Sequence, residues 1–170
     1  MSNPSTALRR PFSDSDLHAY SAEHVAYEFD MLLWLAGVFG GPTLTLGAPT
    51  PADVVQLQNV LVEGFALHLR NVLDFLFNDR PHASDVVAAD FFAAAAWTGL
   101  RPALSATLGA ARVRANKEIA HLTTLRKAGS PPEKAWHFAA LANEVRPVMR
   151  LFADNAPPSR ISPKVASVIR

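Results

Sequence analysis

The stretch TPADVVQLQNVLVEGFALHLRNVLDFLF, residues 50–77, decides the fold. Thr50 can cap free backbone N–H groups. Pro51 suits the first helical position because it has no N–H to leave unsatisfied, and Asp53 meets the positive end of the helix dipole. Val54, Leu57, Leu61, Phe65, Val72, Phe75 and Leu76 follow at the three- and four-residue spacing of a helix. The spacing predicts one long helix to about Phe77, broken over 78–83. A polar stripe runs within it. Glu63, Arg70 and Asp74 fall within roughly 40° of one another at about 100° per residue, with His68 and Asn71 beside them. Two readings of that stripe stand. One is an Arg70–Asp74 pair at i, i+4 facing water. The other is a stripe that faces the third helix and holds its basic groups, because burial is costly unless each charge is paired.

Outward from this helix, three more segments carry the same period. A first helix should start at Ser13 or Ser15, with Asp14 and Asp16 in its first turn. It runs through Tyr20, His24, Tyr27, Met31, Leu35 and Val38 and is closed by Gly37, Gly40, Gly41 and Pro42. Residues 85–96 read as a short helix that packs Phe91 and Phe92. A third long helix is expected from about Pro102 to Arg126, with Leu104, Leu108, Ala111, Ala115, Ile119 and Leu122 as its core stripe and Gly129 as its stop. Ser130-Pro131-Pro132-Glu133 reads as a capping box opening a fourth helix through Trp136, Leu141, Val145, Val148 and Phe152. Pro147 should bend that helix or mark its last turns. The expectation is an all-α bundle of about four long helices with one short extra helix. It occupies residues 13–156, between a flexible arm at 1–12 and a basic tail at 157–170 carrying Arg160, Lys164 and Arg170.

Composition narrows the chemistry. With 170 residues the chain fits one domain with a core of its own. It has no cysteine, which excludes disulfide scaffolds, thiolate metal sites and cysteine nucleophiles. Met1 to Pro11 lacks the apolar run of a signal peptide, and Met31 to Phe39 is too short to span a bilayer, so the cytoplasm is the expected location. Only 18% of residues are charged, below the usual quarter, which favours a surface partly covered by a second copy; a homodimer is expected.

The net charge is +1, yet its distribution is uneven. Asp14, Asp16, Glu23, Glu28 and Asp30 fall in a segment without Lys or Arg. Arg101, Arg112, Arg114, Lys117, Arg126 and Lys127 face a single acid, Glu118, in another. Either the two helices lie side by side, or the second presents a functional basic face.

Most familiar enzyme classes lack their motifs here. No Gly-x-Ser-x-Gly elbow and no phosphate-cradling glycine loop occur. A helical di-iron site needs two Glu-x-x-His pairs and two further glutamates. Glu118 and His121 form one pair, with Glu63 as a lone extra ligand, and the i, i+4 pairs His24/Glu28 and Glu133/His137 do not complete a set. No metal or other cofactor is expected.

The third helix holds a more suggestive constellation, Arg114-Ala-Asn116-Lys117-Glu118-Ile-Ala-His121. Seven residues apart, Arg114 and His121 leave an ideal helix at nearly the same azimuth, two turns apart. An arginine can grip phosphate by two parallel hydrogen bonds, and a histidine titrates near neutrality. RNA brings its own nucleophile, the 2′-hydroxyl, so this pair is enough for metal-free cleavage. Arg114-x6-His121 resembles the motif of the HEPN superfamily: Arg, four to six residues, then His on a late helix of a small all-α bundle. The resemblance implies an RNA-acting or nucleotide-binding protein. Many members are metal-independent ribonucleases in toxin–antitoxin, defence and RNA-processing systems, and usually dimerise so that both motifs line one cleft. It assigns the scissile phosphate to Arg114, proton transfer to His121 and substrate orientation to Asn116 and Lys117, with Glu63, Arg70 and Asp74 behind them. Other members are non-catalytic, and an interaction or scaffold module with a protein partner is the competing expectation, supported by the Ala- and Phe-rich stretch at 86–97 and by the tail at 157–170.

Overall fold

A computed structural model describes residues 12–40, 50–119 and 135–169, the side chain of Glu118 excepted. Within them the chain is an all-α bundle with no strand. Helix α1 (Asp14–Tyr20) passes through a π-helical turn, Ser21–Val25, directly into α2 (Ala26–Gly40). Helix α3 is Pro51–Phe77 and α4 is Ala96–Leu100. Helix α5 (Ala106–Arg114) continues into a second π turn, Ala115–Ile119. Helices α6 (Phe138–Asn155) and α7 (Pro163–Val168) complete the order. Four long helical stretches are thus present among the described residues, and none is long and apolar enough to cross a membrane.

The helix starts are chemical. Ser13 and Asp16 form a reciprocal capping box at α1, and Thr50 and Asp53 form another at α3 with Pro51 in the first turn. Ser105 caps α5 by accepting from the Leu108 N–H at 3.1 Å. That cap places the start of α5 at Ala106 rather than near Pro102. Arg101 precedes a proline and is extended (φ −71°, ψ 147°), so the chain cannot enter the helix there.

Residues 85–96 also depart from the single short helix expected. They hold a 3-10 turn, Ala88–Phe91, whose Val87 N–H donates to the Asp90 carboxylate at 2.8 Å. Ala95, at φ 59°, then turns the chain before α4. This left-handed residue breaks helical continuity. Trp136 lies ahead of α6, which starts at Phe138, and Pro147 sits on its exposed side without ending it. An outward proline leaves the unpaired carbonyl one turn earlier open to water. The expected capping box at Ser130–Glu133, the stop at Gly129 and the end of the third helix at Arg126 lie outside the described residues.

The core forms where α2 packs on α3 and α6. Phe29, Phe65, Phe91 and Phe152 are fully buried, and Phe152 meets Phe75, Phe91 and Trp97 edge-on with centroids 5.1, 5.2 and 5.7 Å apart. Edge-to-face packing suits the ring quadrupoles. The Trp97 indole N–H donates to the Leu76 carbonyl at 2.8 Å, so the largest core side chain buries no unpaired donor.

The segment from residue 157 onward, read as a basic tail, packs onto this core. Ile161, Val165 and Ile169 are buried. The Ser162 N–H donates to Ser21 Oγ at 2.8 Å, and that hydroxyl donates to the His18 carbonyl. Arg160 and Ser159 both reach Asp14 at 2.8 Å. Apolar residues at 161, 165 and 169, spaced by four, explain the docking, and the basic composition masked it.

Candidate binding cleft

On the polar side of α3 an open cleft of about 580 Å³ lies between the α1–α2 stretch and α5. That volume is in the range of small-molecule sites. Its floor is apolar, made of Val25, Phe29, Val72 and Phe75, which continue into the aromatic core.

One wall is cationic. Asp74 of α3 accepts from Arg112 Nε of α5 at 2.6 Å and also contacts Arg112 Nη2. Arg70 Nε stands 3.5 Å from the other Asp74 oxygen without hydrogen-bond geometry, and this buried N–H has no partner. Two guanidinium groups therefore converge on one carboxylate, each about a third exposed. The α3 stripe thus faces the third helix and holds its basic group, while retaining the intrahelical contact. Asn116, from the second π turn, extends the wall.

The opposite wall is acidic. Tyr20, His24 and Glu28 line the cleft in succession from α1, the first π turn and α2. Glu28 Oε2 lies 2.8 Å from His68 Nδ1, and Glu28 Oε1 accepts from Asn71 Nδ2 at 3.3 Å. An ionised carboxylate only accepts, so His68 Nδ1 carries the hydrogen. His68 is buried (8% exposed) with the ring of Tyr27 at 5.6 Å. Burial, then the charges of Glu28 and Asp85, hold the Tyr20 hydroxyl above its ordinary value, so it stays a protonated donor at neutral pH. The loop after α3 closes one end with Asn78, His82 and Asp85; the Asp85 carboxylate accepts from the His82 backbone N–H at 2.7 Å. Each π turn thus contributes a side chain to the cleft. Such turns recur at functional sites because the extra residue re-aims the side chains around it.

The residues singled out in the sequence divide between locations. Arg70, Asp74 and Asn116 line the cleft. Glu63 is exposed on α3 away from it, and Lys117 is exposed on the second π turn. Arg114 donates to the Ala135 carbonyl at 3.2 Å, and its guanidinium lies 4.4 Å from the Trp136 ring centroid. It is therefore turned toward the approach to α6, while its neighbour Arg112 enters the cleft. His121 lies outside the described residues.

Arg112, Glu28 and His24 carry the cleft without having been assigned a site role together. A signal for Arg112 was present. At about 100° per residue Arg112 and Asn116 sit roughly 40° apart, whereas Arg114 and Asn116 sit about 160° apart. The opposed charge runs do not simply pair side by side. Glu28 pairs with His68, Asp14 with Arg160, Arg112 with Asp74 and Arg101 with Asp79. Among the described residues no three His, Asp or Glu side chains are grouped to hold a metal ion.

Fold and site define a class: an all-α bundle with a bipolar cleft between helices. Comparison with family models, curated proteins and solved structures yields no match to this chain.

Proposed function

We propose that the cleft is a nucleotide or RNA site and that the chain acts as a HEPN-like, RNA-acting or nucleotide-binding homodimer. One observation carries the reading: Arg70 and Arg112 share the single carboxylate of Asp74 at the wall of an open cleft. An arginine has five N–H donors, so Arg112 keeps donors beyond those spent on Asp74, and a phosphate can take them as a charge-assisted pair. The Asn116 amide and the Tyr20 hydroxyl offer neutral donors nearby.

In its catalytic form this reading is a metal-independent ribonuclease. The ribose 2′-hydroxyl attacks the phosphorus, the bond to the 5′-oxygen breaks, a base takes the 2′ proton and an acid protonates the leaving oxygen. Arg114 and His121 are the pair the family resemblance nominates for this chemistry. Arg70, Arg112 and Asn116 are the groups that the cleft supplies for binding.

The test is purified protein with a mixed panel of single-stranded RNAs in EDTA. Cleavage is expected to persist without metal and to fall on the order of 10²–10⁴-fold in His121→Ala, the scale for losing a general acid or base. RNA that is neither bound nor cut overturns the reading. Binding without cleavage removes only its catalytic form. Light scattering giving a monomer mass across micromolar concentrations removes the dimer.

A specific observation supports a second reading, a non-catalytic interaction module. Tyr27 and Trp34 on α2, and Val60 and Leu67 on α3, are exposed large apolar side chains in two i, i+7 pairs. Apolar rows of this kind suit a protein partner.

A further inference from the structure

Glu28 is a carboxylate at the cleft surface with a built support. His68 and Asn71 each hold one of its oxygens. A carboxylate has about four lone-pair sites, so two acceptor positions remain beyond those contacts. The support fixes the head group of a side chain that would otherwise be free to rotate. Glu28 remains about a quarter exposed, at 27%, against 10% for His68.

The spacing to the cationic wall says what such an acceptor meets. Asn71, which holds Glu28, and Asp74, which holds Arg112, are three residues apart on α3. That is a rise of about 4.5 Å at 1.5 Å per residue. An anion on Arg112 therefore sits roughly one helical turn along α3 from an acceptor that needs a donor. Phosphate itself has no donor to offer a carboxylate and is repelled by it. In a nucleotide, the donors nearest the phosphate are the hydroxyls of its own sugar; the base edges lie farther out.

We infer that Glu28, positioned by His68 and Asn71, accepts a hydrogen bond from the ribose 2′-hydroxyl and makes the cleft selective for ribonucleotides over deoxyribonucleotides. This rests on the cleft being a nucleotide site. The 2′-hydroxyl is the group by which a protein tells the two sugars apart. His68 and Asn71 act as positioning residues through their contacts with the Glu28 carboxylate.

Calorimetry on the His121→Ala protein, in which the catalytic reading has cleavage suppressed, tests it with a 5′-phosphorylated hexaribonucleotide and the deoxy hexamer of matching sequence, in buffer with EDTA and at fixed salt. The ribo form should bind on the order of 10–100-fold more tightly, the scale of a hydrogen bond to a charged acceptor. Glu28→Gln, which keeps shape and removes charge, should bring the ribo-to-deoxy ratio to about threefold or less. His68→Phe should lower the same ratio while leaving deoxy affinity near wild type, a result that a purely structural role for His68 does not produce. If Glu28→Gln does not fold by circular dichroism, Glu28→Asp serves in its place, since retraction by one methylene should also reduce the ratio. Equal binding of the two oligomers overturns the inference and leaves the nucleotide reading standing. A ribo-to-deoxy ratio that stays at its wild-type value in the Glu28 variant also overturns it. Binding of neither oligomer removes the nucleotide reading, and the inference with it.

Discussion

The two sides of α3 differ in what their side chains require of their neighbours. On one side Leu69, Val72, Leu73 and Leu76 are almost completely buried. They pack into a core where any ring of suitable size contributes in proportion to the area it hides. On the other side Arg70, Asn71 and Asp74 are half-buried, and each reaches a particular atom on itself or another helix. Phe75 belongs to both: it is packed against the core and lines the cleft floor. The apolar side therefore sets stability, and under the proposed function the polar side sets which ligands bind. Changes to the two should have separable effects.

The largest effect is expected from Phe152→Ala. The ring is fully buried and meets five aromatic neighbours, Phe29, Phe75, Phe91, Phe92 and Trp97. Its loss should cost about 3–5 kcal/mol in denaturant unfolding, the usual range for deleting a buried aromatic. A cost below about 1 kcal/mol would show that the core closes around the gap, and the contrast between the two sides would fail.

Next comes a pair of arginines two residues apart. Arg112→Ala should weaken RNA binding on the order of tenfold or more, the scale of a charge-assisted contact. Arg114→Ala should leave binding within about threefold while lowering stability, through the lost stacking on Trp136 and the contact with Ala135, with its part in cleavage read separately as a rate. A filter-binding assay run beside thermal melts separates them. The reverse pattern would return the site to the Arg114-x6-His121 motif and away from the cleft.

The smallest effect should appear in acid. Hydrogen bonds from Ser159 and then Arg160 hold Asp14 below its ordinary value of 3.8, and hydrogen bonds from Thr50 do the same for Asp53. Both groups have depressed pKa values in the folded state. Their contribution is complete above the unfolded value and is lost as pH falls below it through the folded value. Melts of Asp14→Asn and wild type should therefore differ above about pH 4 and converge in stronger acid. A difference unchanged down to pH 2 would assign the loss to packing rather than charge. Both sites are surface features, and neither should alter RNA binding.

The sequence reaches different depths in the two regions. The caps at Ser13 and Thr50, the apolar period of 54–76 and the all-α class follow from local rules that act within a few residues, so they were legible. The Arg70–Asp74 contact was legible for the same reason. The third partner, Arg112, was legible only as one of the basic groups in the second reading of the stripe, since it comes from 38 residues away. Nor was the support of Glu28 by His68 and Asn71, separated by 40 and 43 residues. The terminal segment was misread because its charges dominate its composition, while Ile161, Val165 and Ile169 needed a surface to bury against before their spacing meant anything.

What the sequence by itself determined is the set of helices and most of their starts, because hydrophobic period and capping are local properties of the chain. Only the tertiary structure decided which of two neighbouring arginines enters the cleft, and that both π turns line it. The azimuth of a side chain is local, but which azimuth faces a partner depends on how α5 lies on α3. That arrangement is settled by burial summed over the whole core, a quantity no single segment contains.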